Sequence, residues 1–172
     1  MSDDTHDITV RQAQRSDLEA LVAALGQPHY FAIRLGKQPE VGILLVAARE
    51  DGSVAGSAFL RLAPAEEAEL REWLPGAPVL THVEVVPDQQ GNGVGKMIVR
   101  AAEEHARAHG RSEIALGVRP DNERARKLYS GLGYVDWGLG PINAVVKAFD
   151  DDGERDDGYE LCEIMVKPLH GE

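Results

Sequence analysis

The stretch Gln90–Lys96 reads QGNGVGK and sets Gly91, Gly93 and Gly95 close together, with Asn92 and Val94 between them. Ahead of it, Val79, Leu80, Thr81, Val83, Val85 and Val86 are β-branched or apolar, so Val79–Val86 is expected as a strand, broken by Pro87 and Asp88. Behind it, Val94, Ile98, Ala101, Ala102 and His105 recur at three- and four-residue spacing up to Gly110, the pattern of a helix with a glycine cap. A strand, a glycine loop and a helix N-terminus together form an anion site, because unpaired amides and the helix dipole face the loop. The anion is not held by a Walker loop, since positions 90 and 97 are Gln and Met rather than Gly and Ser or Thr. The GxGxxG dinucleotide spacing also fails, because Lys96 and Ile98 stand where its third glycine would be.

A second constellation lies in NERARKLYSGLGYV, Asn122–Val135. Asp121 or Asn122 can cap a helix whose Ala125, Leu128, Tyr129 and Leu132 share one face. Gln90-x-x-Gly93-x-Gly95, followed in order by Asn122, Ala125, Leu128-Tyr129 and Leu132-Gly133-Tyr134, resembles the GCN5-related N-acetyltransferase (GNAT) family over about Ile8–Val135.

The resemblance implies an α/β acyl-CoA N-acyltransferase fold and acetyl-CoA as co-substrate. It implies that Gln90, Gly91, Asn92, Gly93, Val94, Gly95 and Lys96 hold the pyrophosphate and that Asn122 bonds the pantetheine arm. It also places backbone amides of Val83 and Val85 at the thioester, where one can stabilise an oxyanion. Tyr129 falls at the position of the family's tyrosine near the thioester sulfur. A phenol with an ordinary pKa of ~10 is protonated at neutral pH and can donate to the leaving thiolate. The amine would attack directly, with no covalent enzyme intermediate.

The general base is less plain. The position at which some relatives carry a glutamate is Gly117 here, and those at which others carry Glu or His on the central strand are Val79 and Thr81. Glu84 is the candidate base, with His82 or water as alternatives. Strict alternation sets both side chains on the face opposite Thr81 and Val83, so a bulge would be needed to re-aim one. An acyl-CoA-binding module without catalysis is the alternative reading, supported by Gly117.

The elements that must position these groups are expected in a fixed order. Ile8–Val10 begins a strand, Ser16–Glu19 forms a capping box opening a helix to Gly26, and Pro28–Gly36 forms a second helix whose Tyr30 and neighbouring His29 could reach an acceptor pocket. Val41–Arg49 and Val54–Leu62 form a hairpin, and Pro64–Leu74 an acidic helix. Ile114–Val118 is a strand joined to Leu80–Val86 through a helix as a right-handed βαβ unit. Trp137–Phe149 and Tyr159–Val166 are expected as strands flanking a polar turn, DDDGERDDG. The result is a mixed α/β sheet with helices on both faces.

The 172 residues suit one domain, expected over residues 8–169 behind a disordered tail of residues 1–7. A net charge of −11 argues against nucleic acid as partner. No apolar run approaches the ~20 residues of a membrane span. Cys162 is the only cysteine and its alternation with Ile164 and Val166 marks it as a buried small residue. With no apolar N-terminal core, a cytoplasmic location is expected. His105 and His109 lie four apart on a helix without a third ligand, and no metal is expected. The expected partner is a small-molecule or peptide amine, with a homodimer allowed. Acidic residues at Glu66–Glu72 and Asp150–Asp157 would favour a cationic amine if they border the acceptor side.

Overall fold

In a computed structural model that describes residues 7–169, the chain runs β1 (Ile8–Gln12), α1 (Leu18–Leu25), α2 (Pro28–Gly36), β2 (Gly42–Arg49), β3 (Val54–Arg61), α3 (Ala68–Trp73) and β4 (Val79–Val85). It continues through α4 (Val94–Ala108), β5 (Glu113–Val118), α5 (Glu123–Gly131), β6 (Val135–Asp136), β7 (Ile142–Asp150) and β8 (Gly153–Pro168). Apart from Asp7, the expected N-terminal tail lies outside the described residues.

The strands join in the order β1-β2-β3-β4-β5-β8-β6, and β7 pairs with the long β8. β4 and β5 run parallel, whereas the other pairings are antiparallel. The all-apolar run in β2 is explained by cover on both faces. Ile43, Leu45 and Ala47 face α4 together with Ala58 and Leu60 of β3, and that core includes Val94, Ile98, Val99, Ala102 and Ala106. Leu44 and Val46 face the other way, where Phe59 packs with Leu21, Tyr30, Phe31 and Leu35 of α1 and α2. A buried carboxylate ties the first core together: Glu103 of α4 accepts from the Tyr134 hydroxyl at 2.9 Å and from Lys167 of β8 at 3.0 Å.

Four local expectations change. The strand expected from Trp137 begins only at Ile142, because Asp136 accepts the Gly138 N–H at 2.7 Å and the Trp137 ring donates to the Gly140 carbonyl at 2.8 Å, holding residues 137–141 as a loop. The acidic helix begins only at Ala68, because Arg71 holds the Ala65 and Glu66 carbonyls at 2.8 Å and Glu67 accepts the Val145 amide at 2.9 Å. These tertiary bonds keep Pro64–Glu67 as a loop. The entry to α1 is fastened by Asp17 rather than Ser16: its carboxylate accepts the Gln14 N–H at 2.7 Å and pairs with Arg11 at 2.8 Å. The acidic segment after Phe149 is mostly strand, with the reversal confined to Asp151-Asp152. Cross-strand pairs, Lys147 with Asp156 at 2.5 Å and Arg155 with Asp150, offset the charge that made it read as a turn.

Two irregularities of β4 shape the centre of the molecule. β4 pairs with β5 only at Val79↔Ala115 and Leu80↔Leu116, after which the two strands part. Against β3, the register slips between Ser57 and Phe59, so the step from Thr81 to Glu84 carries an extra residue.

Candidate active site

The glycine loop lies at the surface, with Gly91, Asn92 and Gly93 all exposed. Gly91 and Gly93 adopt φ of +87° and +90°, which L side chains rarely take, and a Cβ on either would meet no protein atom within 4 Å. Gly93 is the residue before α4, whose first bond from Met97 returns to the Gly93 carbonyl at 3.1 Å. The amides of Val94, Gly95 and Lys96 therefore stand ahead of the first helical bond, in open space beside a fifteen-residue helix dipole. Gly95 has ordinary helical backbone, and a Cβ there would lie 3.6 Å from Leu128 and 3.8 Å from Val85. Gln90 turns its side-chain amide onto the Val85 carbonyl at 3.1 Å, and Asn92 donates to the buried Gln89 at 3.3 Å.

Where β4 and β5 part, a cleft of about 810 Å³ opens, lined by β4 from Val79 to Glu84, by Gly117, Val118 and Arg119, by Asn122 and Tyr129, and by α2 and β7. The Val86 N–H crosses to Ala55 of β3 at 2.9 Å. By strand alternation the Val85 amide faces the opposite edge, which β5 has left. Asn122 caps α5, its side-chain oxygen accepting the Ala125 N–H at 3.1 Å, which leaves its NH2 for the cleft. Tyr129 is held edge-on to Tyr134 at 5.9 Å, and among the described residues its hydroxyl makes no hydrogen bond. Burial raises its pKa, so the phenol stays protonated. The predicted Tyr129 and Asn122 line this cleft, whereas Gln90–Lys96 do not.

The bulge in β4 decides the placement of the candidate bases. His82 takes φ of +60°, and its ring turns to the face of α2, stacking on Tyr30 at 4.1 Å and 24°. Leu80, Val83 and Val85 pack on the α4 side, while Thr81, next to Phe59 in register, His82 and Glu84 all line the cleft. Alternation predicts His82 and Glu84 opposite Thr81; the extra residue overturns that and brings all three to one face. Gln27, also left-handed at φ of +57°, completes a triad. It donates to both Glu84 oxygens at 3.0 Å and accepts from His82 Nε2 at 2.8 Å, while His82 Nε2 also contacts Glu84. Burial alone would raise the Glu84 carboxyl, but the hydrogen bonds from His82 and Gln27 together with the His82 charge outweigh it and hold it below the ordinary value. With Nε2 donating, the imidazole lone pair is on Nδ1, which has no partner among the described residues.

Gly117 faces Cys162, where a Cβ would come within 3.3 Å of the cysteine Cβ and 3.5 Å of its sulfur. A side chain at this position would need Cys162 to yield by a few tenths of an ångström, and beyond its Cβ it would have the cleft to enter. Cys162 is buried as expected, and burial first, then the negative charges of Glu160 and Glu67, push its thiol up to about 11. His109 turns its Nδ1 to the carbonyl of His105 at 2.8 Å, and among the described residues no three His, Cys, Asp or Glu side chains are grouped to hold a metal. No helix among them is long and apolar enough to cross a membrane.

Of the two acidic segments, the first borders the cleft through Glu66 and Glu67, whose carboxylates are engaged, whereas Asp150–Asp157 does not line it. Glu66 pairs with Lys147 at 2.6 Å and Arg61 at 3.7 Å, and Glu154 lies against Arg34 at 3.4 Å. The charged lining of Arg34, Arg61, Arg119 and Lys147 balances Glu66, Glu67, Glu84 and Glu160, leaving no surplus of negative charge there. Sequence reasoning missed Gln27 and Arg34. Gln27 had only its place before Pro28 to mark it, and Arg34 read as one residue of an ordinary helix.

The sequence matches the family model "Acetyltransferase (GNAT) family" over residues 6–134. A mycothiol acetyltransferase of Paenarthrobacter aurescens is 31% identical over 93 residues, 54% of this chain and 27% of that protein. One from Saccharopolyspora erythraea is 42% identical over 55 residues, 32% of this chain and 18% of its own length. The chain thus spans under a third of the length of either relative. Among solved structures, the Escherichia coli ribosomal-protein-S18-alanine N-acetyltransferase superposes with a TM-score of 0.64 at 20% identity, covering 96% of both chains. The Salmonella typhimurium protein yncA, whose structure is described with its cofactor acetyl-CoA, superposes with a TM-score of 0.65 at 20% identity over 96% of this chain and 95% of that one.

Proposed function

The chain belongs to the GNAT acetyltransferase family, and on that premise we propose that it is an acetyl-CoA-dependent N-acetyltransferase acting on a primary amine by direct attack. The observation that carries the proposal is the parting of β4 from β5, which opens the cleft that Asn122 and Tyr129 line. Acetyl-CoA would supply the activated acetyl thioester. The amides of Val94, Gly95 and Lys96 bind its pyrophosphate, and Gly91 and Gly93 keep that approach clear. Asn122 offers its NH2 to the pantetheine arm. The Val85 amide faces the gap where charge develops on the thioester oxygen. Tyr129 donates its proton to the departing sulfur.

The geometry favours a divided role for the base. Glu84 is saturated with donors and held below the ordinary carboxylate value, which makes it a weak proton acceptor. His82 lines the cleft with an Nδ1 that is unengaged among the described residues. His82 takes the ammonium proton, Glu84 fixes its Nε2–H tautomer, and Gln27 holds the carboxylate. The alternative, an acyl-CoA-binding module without catalysis, is favoured by Gly117. Acetyl transfer to a panel of amines, followed as release of free CoA, tests the proposal. CoA binding with no turnover on any amine would select the alternative.

A further inference from the structure

Hydrogen-bond accounting around α2 leaves donors over, while among the described residues the free acceptors of the cleft are Nδ1 of His82 and the carboxylate of Glu160. The carboxylates Glu66, Glu67 and Glu84 all have partners. On α2, the buried Tyr30 hydroxyl and the Nε of Arg34 make no hydrogen bond of ordinary geometry among the described residues, although the guanidinium lies close enough to act on the hydroxyl. The two residues are 4% and 8% exposed, and both line the cleft. They lie one helical turn apart, so their side chains share a face. Arg34 reaches Glu154 only through Nη1, with two long contacts of 3.4 Å, although a guanidinium offers five N–H donors. Its charge is instead enclosed by aromatic rings, 4.5 Å from the Phe59 centroid and 4.9 Å from that of Phe149. A buried cation whose one carboxylate partner stands off at 3.4 Å, with a hydroxyl beside it, has room for a closer oxyanion. Tyr30 also stacks on His82, which sets this donor pair next to the group that would take the amine proton.

We propose that Arg34 and Tyr30 form a seat for a carboxylate on the acceptor, so that the substrate class is amino-acid-like amines rather than polyamines. The proposal rests on the acetyltransferase reading of the same cleft. Glu154 acts as the internal stand-in, occupying Arg34 loosely until the substrate's carboxylate replaces it.

Two assays separate this proposal from the reading beneath it. In the first, acetyl transfer is measured for amino acids and for their carboxamides, which keep shape and lose the charge. The two amines differ in basicity, so the readout is the change in their kcat/KM ratio between wild type and variants. Arg34→Gln should lower the ratio about 10- to 100-fold through KM of the carboxylates, as for a lost charged hydrogen bond. Arg34→Lys should restore part of the ratio, and Tyr30→Phe, which keeps the stack on His82, should lower it several-fold. Glu154→Gln removes the competitor and should raise it. In the second, N-acetyl amino acids and N-acetyl carboxamides are titrated calorimetrically into the CoA-saturated protein, which needs no turnover. If acids and carboxamides bind alike, or if Arg34→Gln and Tyr30→Phe leave the ratio unchanged, the seat is refuted and acetyl transfer to amines stands. If no amine is acetylated yet acids bind more tightly in an Arg34-dependent way, the seat stands and the catalytic reading falls. If neither turnover nor binding is seen, both fall.

Discussion

Substituting Gly93 separates the stability of the glycine loop from its affinity for an anion. At φ of +90° an L side chain is strained, at a cost of about 1–2 kcal/mol. No protein atom lies within 4 Å of the added Cβ, so no packing cost follows. For a chain of this size the melting temperature should fall by roughly 2–8 °C in Gly93→Ala. Gly93→Glu has the same backbone cost, but a negative charge at the start of α4 recovers about 0.3–1 kcal/mol, so it should melt no lower than the alanine variant. The order reverses for acetyl-CoA. A carboxylate about 5 Å from a pyrophosphate charge, at an effective dielectric of ~20, repels it by ~3 kcal/mol, or about 100-fold in Kd. Gly95→Ala, which has ordinary helical backbone and only van der Waals neighbours, should be neutral or stabilising by about 0.5–1 kcal/mol. Thermal melts and calorimetric titration with acetyl-CoA read both quantities. A Gly93→Glu protein that is folded and binds acetyl-CoA as tightly as wild type would remove the loop from the cofactor seat.

Tyr129→Phe should cut kcat by roughly 10²-fold with acetyl-CoA affinity nearly kept, whereas weakened binding with normal turnover would assign the tyrosine to packing. The acid limb of the kcat/KM profile should vanish in His82→Gln and persist, at reduced rate, in Glu84→Gln; loss of the limb in Glu84→Gln alone would return the role of base to the carboxylate. Because the native pKa of Glu84 is lowered, its contribution to stability is complete above the unfolded value of ~4.3 and is lost as pH falls through the native value. Melts of Glu84→Gln and wild type should therefore differ at neutral pH and converge in acid, and a difference that grows in acid would contradict the sign. Tyr134→Phe leaves buried Glu103 with Lys167 alone and should cost about 1–3 kcal/mol, seen as a lower melting temperature with unchanged acetyl-CoA affinity.

The sequence by itself determined the elements whose causes are local. Apolar runs and turn residues placed the β2–β3 hairpin, and the three-and-four spacing placed α4 and α5. The glycines that take left-handed backbone and the asparagine that caps α5 were legible because each answers to bonds within a few residues. What lay outside its reach depended on partners far along the chain. The loop before α3 is held by Val145, and the acidic stretch became strand because β7 supplied both backbone and countercharge. The facing of His82 and Glu84 turned on one extra residue between Thr81 and Glu84. Such a bulge is set by the register against β3 and by the contacts of His82 with Tyr30 and Gln27, more than fifty positions earlier. Alternation assumes an unbroken ladder, so it inverts where the ladder slips by one. Tertiary structure alone could also show that Arg34 is buried without an adequate acceptor, since satisfaction of a hydrogen bond is a property of the surroundings and not of the residue.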